Sequence, residues 1–204
     1  MILHIPTNRL PRVARVRRTG KAMKVFLHIG AHRCATTSFQ EYLRRNSEEL
    51  DARNIGFWGP RRTRNGLFHG ILPGPTVSTG RNPQLRAVGR VQMNLTRSME
   101  IGLDHLLVTD ENMMGTMREN LRTGTLYGGV GERMARFAEA FDGHVSDVMV
   151  NLRSLESYWA SGLAYGVARG HRIPCVKMLK HLAHHRRSWR DVLTDVACAL
   201  PGVR

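Results

Sequence analysis

The chain has 204 residues, 42% of them hydrophobic, which is enough to bury one sizeable core and most simply forms one domain. No segment has the run of apolar residues needed to span a bilayer. Three cysteines, Cys34, Cys175 and Cys198, form no close pair, and their odd count argues against a disulfide framework and suits a reducing cytoplasm. The formal net charge of +15 invites a nucleic-acid partner, but only Lys21, Lys24, Lys177 and Lys180 of the 31 basic residues are lysine, so an arginine bias inflates the total. Aromatic residues are sparse and no helix-turn-helix, finger or RNA-binding sheet signature is present. No specific nucleic acid is therefore expected, and the charge alone implies salt-sensitive attraction to polyanions.

In chain order, residues 1–23 read as a basic arm carrying Arg9, Arg12, Arg15, Arg17, Arg18 and Lys21, with little apolar periodicity and no signal-peptide pattern. Met23 is an alternative start. A strand is expected over 24–29, followed by a Gly-containing loop and a helix over 36–51. The whole run is Val25-Phe-Leu-His-Ile-Gly-Ala-His-Arg-Cys-Ala-Thr-Thr-Ser-Phe-Gln40. Free N–H groups and the positive dipole end at the start of that helix suit an anionic oxygen cluster, and Arg33 adds a fixed charge beside them. Gly30 and Ala35 keep the loop slim, while Thr36 and Thr37 offer hydroxyl donors. It is not a Walker A loop, because Gly-x-x-x-x-Gly-Lys-[Ser/Thr] is absent, which excludes a P-loop kinase. The bland alternative is a strand-turn-helix with Thr36 or Thr37 as N-cap.

A strand over 54–58 follows, then a Gly/Pro/Arg-rich stretch over 59–81 that reads as a long loop with a solvated basic surface. His69 lies in it as an exposed histidine and a further candidate for proton transfer. A helix over 84–102 leads to a strand over 104–109, with Asp110, Glu111 and Asn112 at its carboxyl end. Either acid can serve a helix start there, Asp110 as the cap of a helix near Asn112 and Glu111 as a first-turn acid. A helix over 131–141 and a strand over 145–152 come next, then Arg153, and a helix over 154–169 with Ser154 as N-cap. His181, His184 and His185 can share a helical face, but no third ligand or catalytic glutamate accompanies them, so no metal site is expected. A helix over 188–200 is amphipathic, and Pro201-Gly-Val-Arg204 reads as the approach to another strand. The alternation of strands and helices predicts an α/β fold of three layers, a mainly parallel sheet flanked by helices.

At residues 28–37 the chain resembles the sulfotransferase family, whose bacterial members often read His-x-Gly-x-His-Lys-Thr-Gly-Thr-Thr where this chain has His28-Ile-Gly-Ala-His-Arg-Cys-Ala-Thr-Thr37. The spacing matches throughout. Arg33 stands for the usual lysine, Cys34 for a threonine or serine, and Ala35 for a glycine. The family's 3'-phosphate site pairs an arginine at a strand end with a serine eight positions later, which matches Arg153 and Ser161.

The resemblance implies a P-loop-like phosphate-binding loop and 3'-phosphoadenosine 5'-phosphosulfate (PAPS) as co-substrate, held by Arg33, Cys34, Ala35, Thr36, Thr37, Ser38, Arg153 and Ser161, with no metal. It implies in-line sulfuryl transfer to a hydroxyl or amine of a small-molecule acceptor, or of a carbohydrate, since a basic loop over 59–81 at the sheet edge would hint at an acidic or sugar-like acceptor. Arg33 would stabilise the leaving-group charge, and Glu111 first, Asp110 second, would take the acceptor's proton. Family members usually continue past the position of Arg204, which implies a truncated or degenerate member. A noncatalytic nucleotide- or polyanion-binding protein on the same fold is the alternative.

Overall fold

The computed structural model describes residues 23–71 and 83–204; the basic arm expected over 1–23, except for Met23, which is buried in the core, and residues 72–82 lie outside the described residues. Four strands, β1 (Lys24–Gly30), β2 (Ile55–Trp58), β3 (His105–Thr109) and β4 (Val145–Val150), form one sheet in the order β2-β3-β1-β4. Every pairing is parallel, so the expected mainly parallel sheet is parallel throughout its described strands.

Parallel register puts Leu27, Val108 and Trp58 on one face, and Trp58 meets Phe141 of α6 (Val130–Phe141) there. Helix α4 (Pro83–Glu100) packs on α6, and α6 on α9 (Trp189–Ala199), so this face carries most of the core. The opposite face carries His28, and Phe39 of α1 (Thr36–Arg45) packs edge-on against its ring at 4.7 Å.

Going from β1 to β2 the chain moves one way past β3, and from β3 to β4 it moves the other way past β1. Right-handed crossovers therefore send the two connections to opposite faces, and a crevice opens between the carboxyl ends of β1 and β3.

The expected helix over 36–51 is two helices, α1 and α2 (Ser47–Ala52), divided at Asn46. Asn46 donates its side-chain amide to the Tyr42 carbonyl at 2.7 Å, so a side chain competes for a carbonyl at the helix end. The stretch after β2 is not a featureless loop. Helical turn α3 (Pro60–Arg62), with Pro60 in the first turn, runs into a wide turn over Thr63–Leu67. The cause is apolar: Leu67, Phe68 and Ile71 are buried, and Phe68 lies 4.9 Å from Phe137. Helix α5 (Met117–Thr123) was not anticipated, although Thr116 and Glu119 have capping-box spacing and Gly124 ends the helix in the left-handed region. Helix α7 (Leu155–Ala168) begins as expected, with Ser154 accepting from the Ser157 amide. Helix α8 (Val176–Ala183) carries His181, and His184 follows at its C-cap.

At the free edge of β4, the Arg204 amide donates to the Ser146 carbonyl and the Val148 amide to the Arg204 carbonyl, a single parallel bridge where a strand approach was expected.

Candidate functional site

The loop between β1 and α1 is braced from both sides. At Gly30 the backbone has φ +122°, and a Cβ there would sit 3.0 Å from that of Glu111, so only glycine lets the end of β1 approach the turn after β3 this closely. The His32 amide donates to Tyr127 Oη at 3.0 Å. Its Nδ1 lies 2.8 Å from the same oxygen and its Nε2 3.2 Å from Asn112 Oδ1. Burial pushes the His32 pKa down, in keeping with a neutral ring that donates from Nε2 and accepts from the tyrosine. On the other side Asn151 donates to the Cys34 carbonyl at 3.4 Å. Arg33 and Ala35 both take positive φ, 62° and 61°, so the loop coils tightly before α1 begins. No side chain caps α1.

Arg33, Arg153 and Ser161 come together although they arrive from three elements. Arg33 Nε donates to Ser161 Oγ at 3.1 Å, and its guanidinium lies 4.7 Å from the centre of the Tyr165 ring. Arg153 Nη1 donates to the Arg33 carbonyl at 3.0 Å. Among the described residues neither arginine has a carboxylate partner. The Arg153 carbonyl accepts from Trp189 Nε1 at 2.7 Å, so α9 holds the junction between β4 and α7. Residues matched at two distant stretches of sequence thus form one basic rim beside the start of α1.

The other matched residues divide by exposure. Ala35, Thr37 and Ser38 are exposed, Thr36 is buried, and the Cys34 thiol belongs to the core, where burial pushes its pKa up. Cys34 can therefore present its backbone to the loop's concave side rather than its sulfur.

The acids after β3 sit in a network that sequence reasoning missed. Asp110, 2% exposed, accepts from Thr63 Oγ1 at 2.5 Å, from Arg64 at 2.7 Å and from the Asn112 amide at 3.0 Å. It is the cap of the short turn Glu111–Met113, the structural role that its position also allowed. Glu111 accepts from Arg64 at 2.8 Å and from Gln40 at 3.0 Å. Burial pushes the Glu111 carboxyl up, but these two donors outweigh it and hold the group below its ordinary value. Gln40 also donates to Thr109 Oγ1 at 3.2 Å, and Thr109 touches His28 Nδ1 at 2.8 Å. The basic stretch expected to be solvated surface thus supplies Arg64 to two carboxylates, while Arg62 stacks on Trp58 at 4.6 Å. Position offered one signal for Gln40, which lies four residues after Thr36 and so one helical turn above the loop. Nothing local marked Arg64 among its arginine neighbours. His69 is exposed, with its carbonyl held by Arg90 and its ring outside this network.

A cleft of about 420 Å³ opens beside the network, between α1 and α3, and is lined by Thr37, Gln40, Glu41, Arg44, Phe57 and Arg61 among others. It adjoins the exposed start of α1 through Thr37 and the acids through Gln40. No group of three His, Cys, Asp or Glu side chains suited to a metal occurs among the described residues. No family model matches the chain, and no curated protein matches it.

Proposed function

We propose that the crevice at the carboxyl end of β1 binds PAPS through a P-loop-like use of the 31–38 loop, and that the protein transfers a sulfuryl group to a hydroxyl or amine acceptor, with carbohydrates the first class to screen. The observation that carries this reading is the pair Arg33 and Arg153, which have no carboxylate partner among the described residues and lie beside an uncapped helix start; Arg33 donates to the Ser161 hydroxyl, and Arg153 to the Arg33 carbonyl. Cations left uncommitted next to free amides suit an anionic oxygen cluster. When bound, the co-substrate supplies the transferable sulfuryl group.

Arg33 and the amides opening α1 stabilise negative charge held against them without reorganising, because His32, Tyr127 and Asn151 already brace the loop. Thr37 and Ser38 offer exposed hydroxyls at the mouth. Glu111 is the carboxylate that accepts a proton, since Asp110 is occupied by Thr63, Arg64 and Asn112.

A second reading is favoured by one observation. Glu111 is committed to Arg64 and Gln40, which makes it a weak base and suits a nucleotide- or polyanion-binding protein without turnover. Titration calorimetry with adenosine 3',5'-bisphosphate, ATP as comparison, tests the shared part of both readings. Selective bisphosphate binding, weakened about 10- to 100-fold in Arg153→Ala as expected for losing charge-assisted hydrogen bonds, supports the site. Equal binding of ATP, or binding indifferent to Arg153→Ala, overturns it. Turnover in an acceptor screen then separates enzyme from binder.

A further inference from the structure

Between Glu156 and Asp191 the chain contains no acidic residue. From the end of α7 through the 169–175 connection and α8 to the start of α9, Arg169, Arg172, Lys177, Lys180, Arg186 and Arg190 are all exposed. None of the six has a carboxylate partner among the described residues. This contrasts with α1, where Arg44 and Arg45 share Glu41, and α2, where Glu49 meets Arg53. Within this acid-free stretch of chain lie exposed apolar side chains: Ile173 is 81% exposed, Val176 67% and Leu179 44%. Val176 and Leu179 are one helical turn apart on the outer side of α8, while Met178 and Leu182 pack inward on the core. Lys177 and Lys180 flank the outer stripe, and two of the chain's four lysines therefore sit on one eight-residue helix.

An apolar stripe set in unpaired cations is the arrangement that an anionic lipid surface complements. Short apolar side chains enter the headgroup boundary, long basic side chains reach the lipid charges, and no transmembrane span is needed. No helix of the described residues is long and apolar enough to cross a membrane. A groove of about 300 Å³ lies beside the stripe, with Leu163, Val167 and Met178 on its apolar side and Arg118, Arg172 and the Glu119-paired Arg122 among its basic residues.

We infer that α8 and the 169–175 connection form a docking face for anionic membrane surfaces. The inference stands apart from the nucleotide reading, since it uses none of Arg33, Arg153 or Ser161.

Overall charge alone would draw this protein to anionic vesicles, so the test must separate the face from the total. Cys175 and Cys198 are both exposed while Cys34 is buried, which gives two reporters on one chain. An environment-sensitive dye is placed at Cys175 in the Cys198→Ser variant and at Cys198 in Cys175→Ser. The labelled proteins are titrated with vesicles of phosphatidylglycerol mixed into phosphatidylcholine, and with phosphatidylcholine alone. The expected result is a blue shift at Cys175 only, on the anionic vesicles only.

Exchanging Ile173 and Val176 for serine keeps the charge and is expected to weaken vesicle binding roughly tenfold. Reversing Lys177 and Lys180 to glutamate should weaken it by roughly tenfold or more, while reversing Arg44 and Arg45 on α1 should change it by less than about threefold. Equal shifts at both cysteines, serine variants that bind as wild type, or an α1 reversal as damaging as the α8 reversal overturn the inference. Circular dichroism of each variant confirms the fold, and preferential capture of an acidic peptide over vesicles would assign the face to a protein partner instead.

Discussion

On the β4 side of the crevice Arg33 and Arg153 touch a hydroxyl, an aromatic ring and a backbone carbonyl, whereas on the β3 side Arg64 is bound to both Asp110 and Glu111. The same side-chain type therefore does two things within one crevice. Where carboxylates are present the guanidinium is consumed in holding two connections together, the wide turn after β2 and the turn after β3. Where they are absent it leaves net positive potential beside the start of α1. The difference teaches that a basic composition says nothing about a site until the partners of each cation are known.

The largest effect expected on stability comes from Arg64→Ala, which strips the counter-ion from a buried Asp110 and a partly buried Glu111. Breaking a buried pair costs about 3–5 kcal/mol; because the Arg64 side chain is 43% exposed, about 2–3 kcal/mol is expected in urea unfolding. Arg153→Ala should change stability by less than about 0.5 kcal/mol while weakening bisphosphate binding. If the two variants are equally destabilised, the division between structural and uncommitted arginines fails.

Tyr127→Phe tests the brace beneath the loop. Losing the oxygen that serves both the His32 amide and its ring should cost about 1–2 kcal/mol and weaken the proposed bisphosphate binding with it.

A pH titration sharpens the Arg64 side. The folded pKa of Glu111 lies below its ordinary value of 4.5, so its contribution is fully present above that pH and is lost as pH falls through the folded value. Glu41, held down to about 2 by Arg44 and Arg45, titrates in the same acidic window. The difference between wild type and Arg64→Ala therefore isolates the network: the stability gap should be widest near neutral pH and narrow below pH 4.5. A gap that stays constant with pH would mean that Arg64 acts through packing rather than charge.

A small effect of opposite sign belongs to the loop itself. Ala35 adopts φ 61°, a conformation costing a non-glycine residue about 1–2 kcal/mol, partly offset by the greater freedom of glycine in the unfolded chain. Ala35→Gly should raise stability by up to about 1 kcal/mol in the same unfolding assay. A loss would show that the loop needs the alanine side chain.

Much of the architecture was legible because it follows from short-range patterns. The apolar alternation of Val25, Leu27 and Ile29, the Ser154 cap and the apolar periods of α4, α6 and α9 need no distant partner to be recognised. The break at Asn46 escaped notice because a single side-chain bond to Tyr42 decides it. The turn at Thr63–Leu67 escaped because its anchors, Leu67, Phe68 and Ile71, are scattered among glycines and arginines. Of the site, the positions at one loop and one helix could be named from spacing, and Arg33 and Ser161 do meet. The Gln40–Glu111–Arg64–Asp110 network could not, since its members come from three separate stretches of chain.

By itself the sequence determined an alternating α/β chain, a glycine-containing turn after the first strand, and an excess of arginine. The tertiary structure decided which arginines keep their charge available. That division depends on distance: a carboxylate within a few ångströms neutralises a guanidinium, and only the strand order β2-β3-β1-β4 brings Asp110 and Glu111 to Arg64 while keeping them from Arg33 and Arg153.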